Sequence, residues 1–348
     1  LVGQVGHALG THWRAQQSSA QRTQQTDTLR DQARGESRRH ARKLPVLLPN
    51  GQLVGVFSIA ALTPHSVASP AMRLVLEGGG VRAAYAAGLL QELERADVPV
   101  DAVIGSSSGA INAAFFAARQ MDTAVELWSE HVPSSRFISW RRQFTPWGAP
   151  GLGVDDMLDN VITQGKLLDL ERATRGDPAL FLTVTDVADA RMRLVRPNAG
   201  NLIEWLRAAL ALPVGYNRVV EVAGRGYIDG GVSCPACFEE PIDVDVKGPV
   251  VVVLTRPMQT AKPPPVLWER LAVRLIVPKS IRGLSLNQHH LHNGVMGRLR
   301  DAVDRGEVIL VDPPKGMPLS RLTRDRGKVR EGVAMGRERA RALLKQLS

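Results

Sequence analysis

Long apolar runs are missing from this 348-residue chain. No stretch approaches the roughly eighteen apolar residues that a membrane-spanning helix needs, so no such helix is expected. Aromatic residues are sparse, at 5%. None of them alternates with basic residues in a stripe on which bases could stack, so no nucleic-acid partner is expected. Cysteine is sparser still, with only Cys234 and Cys237, spaced C-x-x-C. One such pair cannot supply four zinc ligands, and the nearest histidine is more than fifty residues away. The pair follows a glycine turn late in the chain, where a thioredoxin-like motif would open an early helix. Both cysteines therefore read as packing residues, and with no disulfide framework a reducing, cytoplasmic compartment is expected.

Charge of both signs is present, but unevenly. The formal net charge is +10, of which a surplus of five lies between Arg14 and Lys43 and a surplus of four between Asp301 and Ser348. Basic tails of this kind are usually solvated, and they also suit peripheral contact with an anionic membrane. Residues 16–43 carry almost no apolar side chains and cannot bury enough surface to fold. Leu44 to Ala61 is more apolar and follows a basic cluster, as a secretory signal would. Pro45, Pro49, Asn50 and Gln52 interrupt it far from the first residue, so it is not read as a signal. Residues 1–70 are thus expected to be a disordered basic extension.

From residue 71 the pattern alternates strand and helix, which argues for a layered α/β sheet. Strands are expected at Arg73–Glu77, Val98–Gly105, Ala179–Val187, Met192–Arg196, Val219–Val222 and Val250–Leu254. The last is a continuous apolar run of the kind found in buried parallel strands. Helices are expected at Val81–Arg95 and Ala110–Arg119. Past Thr255 the chain turns proline-rich and then helical, so residues 256–348 are expected to form a mainly helical C-terminal extension.

Three short motifs carry chemistry. Gly78-Gly79-Gly80-Val81-Arg82 stands where a strand passes into a helix. Consecutive glycines let backbone N–H groups converge on a phosphate or a developing oxyanion. Read as G-x-G-x-x-A, the same loop also fits a loose dinucleotide fingerprint, which keeps a nucleotide-binding oxidoreductase open. Gly105-Ser106-Ser107-Ser108-Gly109 fits G-x-S-x-G between a strand and a helix. There a sharp turn exposes the middle hydroxyl and the next N–H, that of Ser108, points to the same place. A serine needs a base. His289, His290 and His292 could supply the histidine of an α/β-hydrolase triad, although three histidines in one polar stretch read better as a solvated or interface face. Tyr227-Ile228-Asp229-Gly230-Gly231 offers a carboxylate that could accept the serine proton directly. Taken alone, it is equally an Asp-Gly turn.

In this order, Gly-Gly-Gly-x-Arg, Gly-x-Ser-x-Gly and Asp-Gly-Gly resemble the patatin-like phospholipase family over about residues 71–255. Ala208 to Val214 resembles the family's helix-then-proline lead into the Asp-Gly strand. Leu254-Thr255-Arg256-Pro257 and Leu319-Ser320-Arg321-Leu322 look like a bacterial subgroup. The resemblance implies a three-layer α/β fold with a mainly parallel central sheet. It also implies a lipid acyl hydrolase with Ser107 as nucleophile, Asp229 as its dyad partner, and Gly78, Gly79, Gly80 and Ser108 as oxyanion hole. Arg82 falls at the motif's basic residue, expected to contact substrate, and neither cofactor nor metal is implied. Ala83 stands where the family often has glycine, and Cys234-Pro235-Ala236-Cys237 is unusual after the Asp-Gly turn. Trp140, Phe144 and Trp147 are candidates to line an acyl channel.

Overall fold

A computed structural model describes residues 71–139 and 151–347, together with the backbone of two short strands at 41–47 and 53–60. Those two, β1 (Ala41–Leu47) and β2 (Leu53–Ala60), pair antiparallel in a unit of their own. They lie within the stretch expected to be disordered. Leu53-Val-Gly-Val-Phe-Ser-Ile-Ala60 is rich in the β-branched and aromatic residues that favour strands. The Gln-rich segment ahead of it, residues 1–40, is outside the described residues, as are Trp140, Phe144 and Trp147.

The second unit, Ala68–Ser348, is built on one sheet. Its elements run β3 (Met72–Leu76), α1 (Ala83–Arg95), β4 (Val100–Ser106), α2 (Ser108–Ala117), α3 (Met121–Glu126), α4 (Leu170–Thr174), β5 (Ala179–Asp186), β6 (Met192–Val195), α5 (Leu202–Ala209), β7 (Val220–Val222) and β8 (Arg225–Asp229). Then follow β9 (Val250–Val253), α6 (Leu267–Ile276), α7 (Lys279–Leu286), α8 (Gln288–Asp304), β10 (Val308–Val311) and α9 (Arg326–Leu347). The eight strands lie in the order β10-β9-β3-β4-β5-β8-β7, with β6 also paired to β5. From β10 to β5 all pairs are parallel, whereas β6, β8 and β7 join antiparallel. This is the mixed, mainly parallel α/β sheet that the motif order implied.

Local sequence explains the elements. All residues of β3 and β5 are buried, as expected of strands covered on both faces. Every residue of α2, Ser-Gly-Ala-Ile-Asn-Ala-Ala-Phe-Phe-Ala, is buried too, so this helix runs through the core. Its one amide is satisfied inside: Asn112 donates to Ala83 O at 2.8 Å and accepts from Trp128 Nε1 at 2.6 Å.

The boundary expected at residue 255 does not appear. Val308-Ile-Leu-Val311 extends the main sheet beside β9, and α9 packs along α1. The crossing of those helices is close. A Cβ on Gly336 would strike the carbonyl of Tyr85, and one on Gly88 would strike that of Val333. The C-terminal part is thus mainly helical, as expected, but it adds a strand to the main sheet and a helix against α1. This short apolar run stands between helical stretches, and periodicity alone does not tell such a run from a buried helix segment.

Cys234 and Cys237 also differ from expectation. They are joined as a disulfide in the turn after β8, where their Cα atoms come within 5.7 Å. This removes the cysteine-based argument for a reducing compartment. Among the described residues no helix is long and apolar enough to cross a membrane.

Candidate active site

The sheet register brings two distant motifs together. Ser106 at the end of β4 pairs with Thr183 of β5, and the next residue of β5, Val184, pairs with Asp229 of β8. Ser107 follows directly in an elbow at φ 53° and ψ −128°, a conformation costly for a residue with a Cβ. The elbow sits at the carboxyl ends of parallel strands, where α/β sheets place their ligands, and against the N-terminus of α2. Ser107 Oγ donates to Asp229 Oδ2 at 2.6 Å.

Asp229 is held on every side. Its Oδ1 accepts from Gly231 N at 2.7 Å, its own N–H donates to Ala211 O at 3.1 Å, and its carbonyl accepts from Thr185 Oγ1 at 2.9 Å. The carboxylate is buried, and burial raises its pKa from 3.8 to about 6. The bonds from Ser107 and Gly231, and the positive charges of Arg321 and Lys262, oppose that rise. The result is a base that is ionised at neutral pH yet able to hold a proton. Lys262 itself is lowered to about 7, first by burial and then by Arg321 and Arg256.

The glycine loop approaches the elbow as closely as backbone allows. A Cβ on Gly78 would lie 2.5 Å from that of Ser107 and 2.8 Å from Ser106 O, so only glycine fits. Gly79 N donates to the side chain of Ser108 at 2.8 Å, which commits that donor within the protein. Val81 N donates to Arg321 O at 3.1 Å, so a late loop of the chain holds the start of the glycine turn. Beneath the loop, buried Glu77 accepts from Thr255 N at 2.7 Å and Thr255 Oγ1 at 2.8 Å, and that hydroxyl also lies 3.0 Å from Gly78 O. Arg256 Nε stands 3.7 Å from Glu77 on the other side. Arg82 turns back on the loop, with Nε donating to Gly79 O at 3.3 Å. Burial, opposed by Glu77 and reinforced by Arg321 and Arg256, lowers its pKa to about 10.

Of the three late histidines, His290 is exposed as expected and His289 half-buried, whereas His292 turns inward. His292 is buried with Nδ1 3.2 Å from Arg256, and its pKa falls to about 3, through burial first and then the surrounding cations. It is a neutral packing residue. Among the described residues no histidine hydrogen-bonds Ser107 or Asp229. His131, Phe137, Met157 and Val161 line a cavity of about 130 Å³, which shares no residue with the Ser107 site.

Sequence reasoning named Ser107, Asp229, Gly78, Gly79, Gly80, Ser108 and Arg82, and the structure brings all of them to one place. It passed over Glu77, Lys262 and the inward role of Asn112. The segments around Thr255 and Arg321 were noticed only as subgroup features. An acid closing an apolar strand and a threonine closing another were the available signals.

Residues 74–237 match the family model described as "Patatin-like phospholipase". The uncharacterized protein YjjU of Escherichia coli K12 is 26% identical over 302 residues, which span 85% of this chain and 81% of YjjU. Patatin-like phospholipase domain-containing protein 7 of Rattus norvegicus is 27% identical over 148 residues, 41% of this chain and 10% of the rat protein. The solved structure of VipD from Legionella pneumophila aligns with a TM-score of 0.47 at 13% identity, covering 89% of this chain and 71% of VipD.

Proposed function

From the match of residues 74–237 to the patatin-like phospholipase model, and the lipid acyl hydrolase class that the match implies, we propose that this chain cleaves acyl esters through Ser107 and Asp229. The observation that carries the proposal is the 2.6 Å hydrogen bond from Ser107 Oγ to a buried carboxylate whose pKa is raised to about 6.

As Ser107 Oγ attacks the ester carbonyl, its proton passes to Asp229 Oδ2. The carbonyl oxygen becomes an oxyanion opposite the glycine loop and the start of α2. Gly79 N is occupied by Ser108, so the N–H groups of Gly78, Gly80 and Ser108 are the donors offered to it. Collapse of the intermediate expels the alcohol, which takes the proton back from Asp229 and leaves an acyl-serine. Water then attacks the acyl carbon, losing its proton to Asp229. Release of the acid restores Ser107. Each well-aimed oxyanion donor contributes about 3 kcal/mol. Arg82, bonded to Gly79 O, is assigned to holding the loop rather than to direct contact with substrate.

A fluorophosphonate probe tests the nucleophile. The wild-type chain should be labelled and Ser107→Ala should not, with turnover of p-nitrophenyl esters down by at least about a thousandfold. Ser106→Ala should keep both labelling and activity. Wild-type turnover by Ser107→Ala would discard the assignment.

A further inference from the structure

Helix α6 (Leu267–Ile276) turns its apolar side outward. Leu267 is 83% exposed, Trp268 64%, Leu271 57% and Leu275 74%. At 3.6 residues per turn these four fall within an arc of about 100°. Val273, near the opposite pole, is buried with Val277 and Ile281 against Ile228 and Val232, the residues that flank Asp229 and its glycine turn. The helix is therefore anchored beside the base, with its greasy face away from the protein. Glu269 is turned to capping, its Oε2 accepting from Val266 N at 2.8 Å. Arg270, Arg274 and Lys279 are exposed, and none of them pairs with an acid among the described residues.

An exposed apolar arc of this size on a folded chain marks a contact surface. Three features choose its occupant. The apolar arc is bordered by cations and contains no acid, which complements the phosphates of a lipid surface. A tryptophan at the edge of such an arc suits the headgroup boundary, where its ring is buried and its N–H stays wet. The helix also stands beside the carboxylate of a site whose substrate class is lipid. We propose that α6 lies in the interface of an anionic membrane and docks the Ser107 site onto it. The inference rests on the lipid hydrolase reading, and extends it to the surface by which the substrate is approached.

The test uses the full-length chain carrying Ser107→Ala, so that binding is read without turnover. It should sediment with vesicles of phosphatidylcholine and phosphatidylglycerol. Leu267→Ser, Leu271→Ser and Leu275→Ser together should weaken that binding at least about tenfold, while circular dichroism stays unchanged because all three side chains already face water. Trp268 fluorescence should be quenched by brominated acyl chains, with the quenching lost in Trp268→Phe. With Ser107 restored, the triple variant should hydrolyse a soluble short ester within about twofold of wild type but vesicle lipid at least about tenfold more slowly. Equal vesicle binding by the triple variant overturns the proposal in favour of another surface. A wild-type dimer that the triple variant dissolves, with no vesicle binding by either, overturns it in favour of a second copy of the chain. Vesicle binding through α6 without hydrolysis of any ester would uphold the docking and reject Ser107 as nucleophile, so the two failures are distinguishable.

Discussion

The two halves of the sheet solve opposite problems. On the parallel side, Ser107 reaches its place through backbone: a positive φ, a glycine loop with no room for a Cβ, and a wholly buried helix behind it. On the antiparallel side, Asp229 is placed through burial, with ordinary backbone at φ −45° and ψ 126° but a carboxylate withdrawn from water. One side stores its cost as conformational strain, the other as desolvation. Ser107 should thus be sensitive to shape and Asp229 to charge, and substitutions can separate the two.

Among substitutions that separate the two sides, the largest expected effect is on the charge side. Asp229→Asn keeps the shape and the acceptor for Gly231 but loses the base, so turnover should fall by at least about a hundredfold. Stability should move the other way. The folded pKa of about 6 lies above the unfolded value of 3.8, so ionising Asp229 costs stability that grows from about pH 4 and is complete above about pH 6. The asparagine variant should therefore be more stable than wild type at pH 8, by up to about 3 kcal/mol, and the gain should vanish near pH 4. Wild-type kcat/KM should rise with an inflection near pH 6. Denaturant titrations at both pH values and a pH–rate profile check this, and a destabilised variant at pH 8 would break the comparison.

An effect of shape comes next. Gly78→Ala brings a methyl group against Ser107 and Ser106 O, and overpacking of this kind costs about 1–3 kcal/mol. Displacing Ser107 from Asp229 should lower kcat about tenfold or more. Its pH inflection should stay near 6, because the environment of the carboxylate is unchanged. A shifted inflection would show that the two sides are not separable.

The smallest effect is expected at His292. Replacing it by glutamine should leave turnover within a few-fold and reduce stability by about 1 kcal/mol, because a buried, hydrogen-bonded side chain is replaced. A hundredfold loss of turnover would restore the histidine-containing triad.

The same contrast explains what the sequence made legible. Glycines forced by shape leave a local imprint, so the Gly78 loop and the Ser107 elbow can be read from a few residues. Strand β8 and its acid read equally well as an Asp-Gly turn, and only the order of the three motifs separated them. Burial is not local, and nothing near Asp229 announces Lys262 or Arg321. Glu77 looks like the polar end of a strand until Thr255 is folded beneath it. Strand β10 escaped because its short apolar run stands between helical stretches, and His292 because its polar neighbours face out while it faces in.

The bond from Val81 N to Arg321 O gives synthesis of the chain an order. Ser107 and Asp229 are both made by residue 229, but the carbonyl that pins the glycine turn is joined only some ninety residues later. A nascent chain halted between the two holds Ser107 and Asp229 with the Gly78 loop untethered. The segment 74–237, cut out alone, would be in the same condition, lacking Thr255 as well. Synthesis as far as Arg321 is in this sense a late step in assembling the proposed site.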